Sequence, residues 1–134
     1  MLSAVPVHPA FMTKPISWFE IPALDLNRAC AFYEKTLAVT LNRGDMGPQS
    51  LAVFPYDRNQ ATGGCLITGP GFKPSSEGAV VYLNAGESLD ATLDRVVPAG
   101  GSILLPRTEL PPGMGAYAHI RDTEGNRVGL HAYA

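Results

Sequence analysis

Apolar positions along the chain follow two periods in turn. Residues 16–21 (Ile-Ser-Trp-Phe-Glu-Ile) have the β-branched and aromatic content of a short strand. Asp25 then stands where a helix N-cap belongs. Leu26, Ala29, Cys30, Tyr33 and Leu37 follow at spacings of three and four, with Arg28, Glu34 and Lys35 off that stripe, so one amphipathic helix is predicted. Residues 40–43, 49–55 and 63–68 are strand-length runs separated by Gly, Pro, Asn and Asp. Beyond 69–78, a stretch of linker composition, the same order returns. Residues 79–84 read as a strand, and Ser88 caps a helix whose stripe is Leu89, Leu93, Val96 and Val97. Pro98 falls in its last turn or just beyond, and Gly100-Gly101 stop it. Strands 102–105, 116–121 and 127–132 complete the set, the last two joined by the turn Asp122-Thr-Glu-Gly-Asn126.

The two halves keep a fixed offset: Ile16 and Ala79 differ by 63, as do the caps Asp25 and Ser88. The expected fold is α+β, with one βαβββ module over residues 14–68 and a second over 79–134. A helix covers one face of each sheet. The other faces form a curled, half-barrel mixed sheet with a cleft between the modules, a natural place for a small ligand. Residues 1–13 contain Pro6 and Pro9 and no basic start, which argues for a loose arm with His8 in solvent rather than a signal peptide.

Composition narrows the partners. The 134 residues carry a formal net charge of −2 with no lysine or arginine cluster, so nucleic acid is not expected as the ligand. No run of 18 apolar residues exists to span a membrane. Charged residues are 16%, against about 25% in average domains, which leaves neutral surface for a partner. Cys30 and Cys65 lack a CxxC companion and read as buried thiols in a reducing cytoplasm. No GxxxxGK[ST], GxGxxG or GxSxG is present, so nucleotide binding and a nucleophile-elbow hydrolase have no support.

Strand alternation selects the side chains that face the cleft. If Trp18 points inward, so does Glu20. In the last hairpin Arg127, Gly129 and His131 share one face, and pairing of Ile120 with Val128 sets His119 opposite Gly129 with Arg121 beside it. Glu20 and His119 then form an acid–base pair or part of a metal site, or else Glu20 pairs with an arginine and His119 is a hydrogen-bonded wall residue. Gly129 leaves room for a ligand atom beside His119. The loop 106–115, with Pro-Pro-Gly and Gly115, suits a stiff flap on glycine hinges, with Met114 placed to pack on an apolar ligand.

The segment Asp25-Leu-Asn-Arg-Ala-Cys-Ala-Phe-Tyr33 after a strand resembles the first-helix signature of the vicinal oxygen chelate superfamily. That group includes glyoxalase I, extradiol dioxygenases, and bleomycin- and fosfomycin-resistance proteins. Asp122-Thr-Glu-Gly-Asn-Arg-Val-Gly-Leu130 is similar to its last hairpin, and Ala99-Gly-Gly101 to its second-helix end, so the resemblance covers about residues 15–132. In metal-dependent members, a His typically stands seven residues before the helix-capping Asp, here Trp18, and a Glu just before the Leu of the last strand, here Gly129. The second-module counterpart of Trp18 is Val81, or Val80 with a strand bulge, and shifting Gly129 by 63 reaches Leu66, next to Cys65. The resemblance therefore implies a glyoxalase-like or bleomycin-resistance-like small-molecule binding protein without the usual metal ligands and without a cofactor. Its alternative is an isomerase, lyase or dioxygenase using Glu20 and His119, with or without one divalent metal ion at a non-standard site. Similar proteins often form homodimers, which is the expectation here.

Overall fold

The computed structural model describes residues 15–59 and 61–134. The arm over 1–13, His8 and Lys14 lie outside the described residues. The element order is β1 (Trp18–Pro22), α1 (Leu26–Leu37), β2 (Asn42–Met46), β3 (Gln49–Val53), β4 (Gly63–Thr68), then β5 (Tyr82–Asn84), α2 (Leu89–Val96), β6 (Ser102–Glu109), β7 (Ala116–Arg121) and β8 (Arg127–Ala132). Two four-stranded mixed sheets result, ordered β1-β4-β3-β2 and β5-β8-β7-β6, each with its first strand parallel to its last. The fold is α+β with βαβββ order twice, and the sheets do not close into a barrel.

Local chemistry explains the helix ends. The Asp25 side chain accepts from the Arg28 N–H at 3.1 Å, and Ala38, at φ 56°, ends α1 in the left-handed conformation. Ser88 accepts from the Ala91 N–H in the same way. The buried face of α1 is wider than the predicted stripe. Phe32 and Thr36 are buried with Leu26, Ala29, Cys30 and Tyr33, because α1 packs on α2 as well as on its own sheet. Arg95 on α2 donates to the Thr36 carbonyl at 3.0 Å, and Lys35 on α1 to the Pro98 carbonyl at 3.2 Å. Val97, expected in the α2 stripe, instead faces solvent at the helix end, where Pro98 stops the helix, and Thr92 is the buried residue.

Several strand limits shift. The first run begins at Trp18, the second spans Asn42–Met46 rather than 40–43, the third stops at Val53, and 79–84 shortens to Tyr82–Asn84. The largest correction is β6, which was expected to end at Leu105 but continues through Pro106 to Glu109. It is an edge strand with two register shifts, and an edge tolerates a residue without an N–H. The flap therefore shrinks to residues 110–115.

The turn after β7 ties the halves together. Asp122 accepts from the Tyr33 hydroxyl at 2.6 Å and from the backbone N–H of Glu124 and of Asn126. The Asn126 amide donates to the Pro22 carbonyl at 2.7 Å. Glu124 accepts from the N–H groups of Leu24 and Asp25 and from the Arg28 guanidinium. This turn is the staple between the start of α1 and the second sheet.

Candidate functional site

Each sheet turns one face to its helix and one away from it. In β7, Ala116, Ala118 and Ile120 are buried toward α2, which leaves Tyr117, His119 and Arg121 on the other face. In β8, Val128, Leu130 and Ala132 are the core positions, with Arg127, Gly129 and His131 between them. The hairpin register pairs His119 with Gly129, Ile120 with Val128 and Tyr117 with His131, so the expected face of this hairpin forms as its alternation implied.

β5 adds a residue that the sequence reading missed. Tyr82 pairs with Gly129, and its ring lies across the glycine so closely that any Cβ at 129 would collide with it. The space expected for a ligand atom at Gly129 is filled by this ring. The Tyr82 hydroxyl lies 2.6 Å from His119 Nε2, and Arg127 donates to His119 Nδ1 at 3.0 Å. Burial, and then the Arg127 charge, push the His119 pKa down, so the imidazole is neutral at neutral pH.

Beside this triad lies a cavity of about 720 Å³, lined mainly by Tyr82, Asn84, Leu110, Met114, Tyr117, His131 and Tyr133. Its volume lies within the range of small-molecule sites. Tyr82 and Tyr117 stand edge to face with centroids 6.0 Å apart, and the His131 and Tyr133 rings do the same at 4.8 Å. His131 Nε2 donates to the Met114 carbonyl at 2.8 Å and holds the flap beside the cavity. Met114 is exposed, as a flap residue meeting a ligand would be.

The remaining candidates lie elsewhere. Trp18 sits on β1, 38% exposed, edge to face with Tyr56 at 5.9 Å. Glu20 is exposed on β1 and lines a second, smaller cleft of about 170 Å³ between β1, the linker and β8, together with Lys73, Glu77 and Arg127. Glu20 is not a hydrogen-bond partner of His119, whose ring nitrogens meet Tyr82 and Arg127. Arg121 is exposed at the end of β7. The inter-module cleft is thus the smaller cavity, and the larger one belongs to the second sheet.

The residues at the positions where the resemblance implies metal ligands do not suit a divalent cation. Ala23 and Ala85 donate to the carbonyls of Ile67 and His131 respectively, which makes them equivalent and sets Val80, not Val81, opposite Trp18 in the repeat. By the same register Glu20 corresponds to Tyr82, and Cys65 to Gly129. An indole, an isopropyl group and a glycine covered by a ring supply no donor. The buried Cys65 thiol is pushed up to about 11 by burial and by Glu20, so it stays protonated. Among the described residues no group of three His, Cys, Asp or Glu side chains converges.

A profile described as the Glyoxalase/Bleomycin resistance protein/Dioxygenase superfamily matches residues 15–130. A glyoxylase-like domain-containing protein of Didymella fabae is 30% identical over 114 residues, covering 83% of this chain and 88% of that protein. Glyoxalase I from Zea mays superposes with a TM-score of 0.68 at 25% identity over 87% of this chain, which spans only 45% of the maize protein. TnmS3, an antibiotic binding protein from Streptomyces sp. CB03234, shares the fold at a TM-score of 0.65 and 20% identity, over 92% of this chain and 98% of its own.

Proposed function

Since the chain belongs to the Glyoxalase/Bleomycin resistance protein/Dioxygenase superfamily, the question becomes which of that group's roles its own site can perform, and we propose that it binds a flat, aromatic small molecule without a resident metal. The observation that carries this reading is the cavity of about 720 Å³ walled by Tyr82, Tyr117, Tyr133 and Met114. Aromatic walls at edge-to-face separations present ring edges and faces to a planar guest, and a methionine adapts its shape to it. That TnmS3, an antibiotic binding protein, shares this fold supports a binding role. The donor-poor chemistry of Trp18, Val80, Cys65 and Gly129 supports a metal-independent role, and the pairing of His119 with Tyr82 and Arg127 rather than with Glu20 supports binding over proton transfer between Glu20 and His119. The free thiols Cys30 and Cys65 fit a reducing compartment such as the cytoplasm.

The test uses 8-anilinonaphthalene-1-sulfonate as probe. Saturable one-site fluorescence enhancement is expected, unchanged by EDTA or by added Zn²⁺, Ni²⁺, Mn²⁺ or Fe²⁺, and weakened about ten-fold in Tyr117→Ala. Stoichiometric binding of one of those ions in a calorimeter would overturn the metal-independent part. Equal affinity of wild type and Tyr117→Ala would remove the cavity from the account.

A homodimer belongs to the same proposal. Met114 and Tyr133 are 52% and 78% exposed at the cavity rim, apolar side chains that a second copy could cover. Light scattering is expected to give twice the chain mass, and a monomer at high concentration removes the dimer.

A further inference from the structure

We propose that Arg127 and His119 act as a relay that turns the Tyr82 hydroxyl hydrogen outward, making Tyr82 the donor for an acceptor oxygen (a carbonyl or an oxyanion) on the bound ring. The proposal rests on the aromatic-binding reading above and specifies the ligand chemistry of that site. The argument is one of donors and acceptors. A guanidinium has only donors, so the 3.0 Å contact from Arg127 to His119 Nδ1 requires a lone pair on Nδ1. The ring is neutral, which its partly buried place beside a cation favours, and its single proton therefore sits on Nε2. At 2.6 Å that N–H donates to the Tyr82 oxygen, so the hydroxyl's own hydrogen is not used on His119. Among the described residues the Tyr82 hydroxyl makes no other hydrogen bond, and Tyr82 lines the large cavity.

Gly129 completes the device. The ring rests on its bare backbone, and any side chain at 129 would push the hydroxyl off His119. Arg127 is thus a positioning residue, which sets the direction of a hydrogen bond it does not itself make to the ligand. Without it, nothing prevents the imidazole from adopting the other tautomer. The Tyr82 hydroxyl would then donate inward to Nε2 and offer the ligand only an oxygen.

Two measurements test this, one without any ligand. Proton–nitrogen correlation spectra of the free, full-length protein are expected to show His119 as the Nε2–H tautomer, switching toward Nδ1–H in Arg127→Met. A wild-type Nδ1–H tautomer, or no change in Arg127→Met, overturns the relay. The second measurement compares 9-fluorenone-2-carboxylate with fluorene-2-carboxylate, which differ only at the ring carbonyl. The ketone is expected to bind roughly ten-fold more tightly, the value of one well-placed hydrogen bond, and that preference is lost in Tyr82→Phe and equally in Arg127→Met. Because both substitutions break one hydrogen bond, the double variant discriminates no worse than either single one. Equal wild-type affinity for the two compounds overturns the donor assignment alone. Failure of both to bind, with the Nε2–H tautomer present, overturns the aromatic-binding reading instead. Melting curves of both variants within a few degrees of wild type show that each one folds.

Discussion

Glu124→Gln is expected to lower the melting temperature by roughly 10 °C at pH 7, the shift that about 2–3 kcal/mol produces in a domain of this size. The Glu124 carboxylate accepts five hydrogen bonds: from the N–H groups of Leu24 and Asp25, from Arg28 Nε and Nη2, and from the Thr123 hydroxyl. Its side chain is wholly buried, while Arg28 is half exposed. Burial alone would push its pKa up. The Arg28 hydrogen bonds, helped by Asp25 N–H and Thr123, outweigh burial and hold it at about 2, against 4.5 for an unperturbed glutamate. A glutamine keeps one oxygen and turns an NH₂ toward donors that need an acceptor, which leaves buried N–H groups unpaired.

The pH dependence follows from that depressed value. A carboxyl with a folded pKa below its unfolded one stabilises the fold fully above about 4.5 and loses that contribution as the pH falls toward 2. Wild-type and Glu124→Gln melting temperatures should therefore lie far apart at pH 6–7 and converge between pH 4.5 and 2. A constant gap across that range, followed by calorimetry, would show that the charge is not what the turn supplies.

This staple also marks the limit of what the sequence discloses. Asp122-Thr-Glu-Gly-Asn126 announces a turn by composition, and its fixed length sets the β7–β8 register, so His119 opposite Gly129 could be read directly. The partners of the turn are invisible to that reasoning, because Leu24, Arg28 and Tyr33 lie about ninety residues or more away along the chain. The module order was legible because caps, stripes and punctuation repeat. Tyr82 was hidden by the same repeat. The caps are 63 apart, but the connection from β5 to α2 carries one more residue than that from β1 to α1, and the stretch from the cap to the last strand also carries one more, so Ile21 and Leu83 are 62 apart while Leu66 and Leu130 are 64 apart. A constant offset therefore missed the position opposite Gly129. Alternation alone would have found it: Leu83 and Ala85 are core residues, which turns Tyr82 to the other face, as it does Tyr117 two residues before His119.

The second large effect concerns the flap. Gly115 reads as a hinge in the sequence, yet it is the tightest fit in the loop. Its φ is +83°, and a Cβ there would run into the Ala132 carbonyl oxygen and come within 2.7 Å of the Tyr133 Cα. Both obstacles are backbone at the end of β8, which pairs with the first residue of β7 directly after Gly115, so neither can rotate away. Gly115→Ala is expected to cost about 3 kcal/mol or more, from left-handed strain and displacement of the β8 end together. It should also move Met114, His131 and Tyr133, which line the cavity, and so abolish binding of 8-anilinonaphthalene-1-sulfonate in whatever protein remains folded. Gly113→Ala supplies the control. Its φ is +86°, but nothing lies within 4 Å of an added Cβ, so only the conformational cost of about 1–2 kcal/mol applies. Thermal melts should show a drop of more than 10 °C for Gly115→Ala and about half that or less for Gly113→Ala, with probe binding retained in the latter. Equal losses in the two variants would mean that left-handed strain, not the contact with Ala132 and Tyr133, fixes the flap, and that its position is set within the loop rather than by β8.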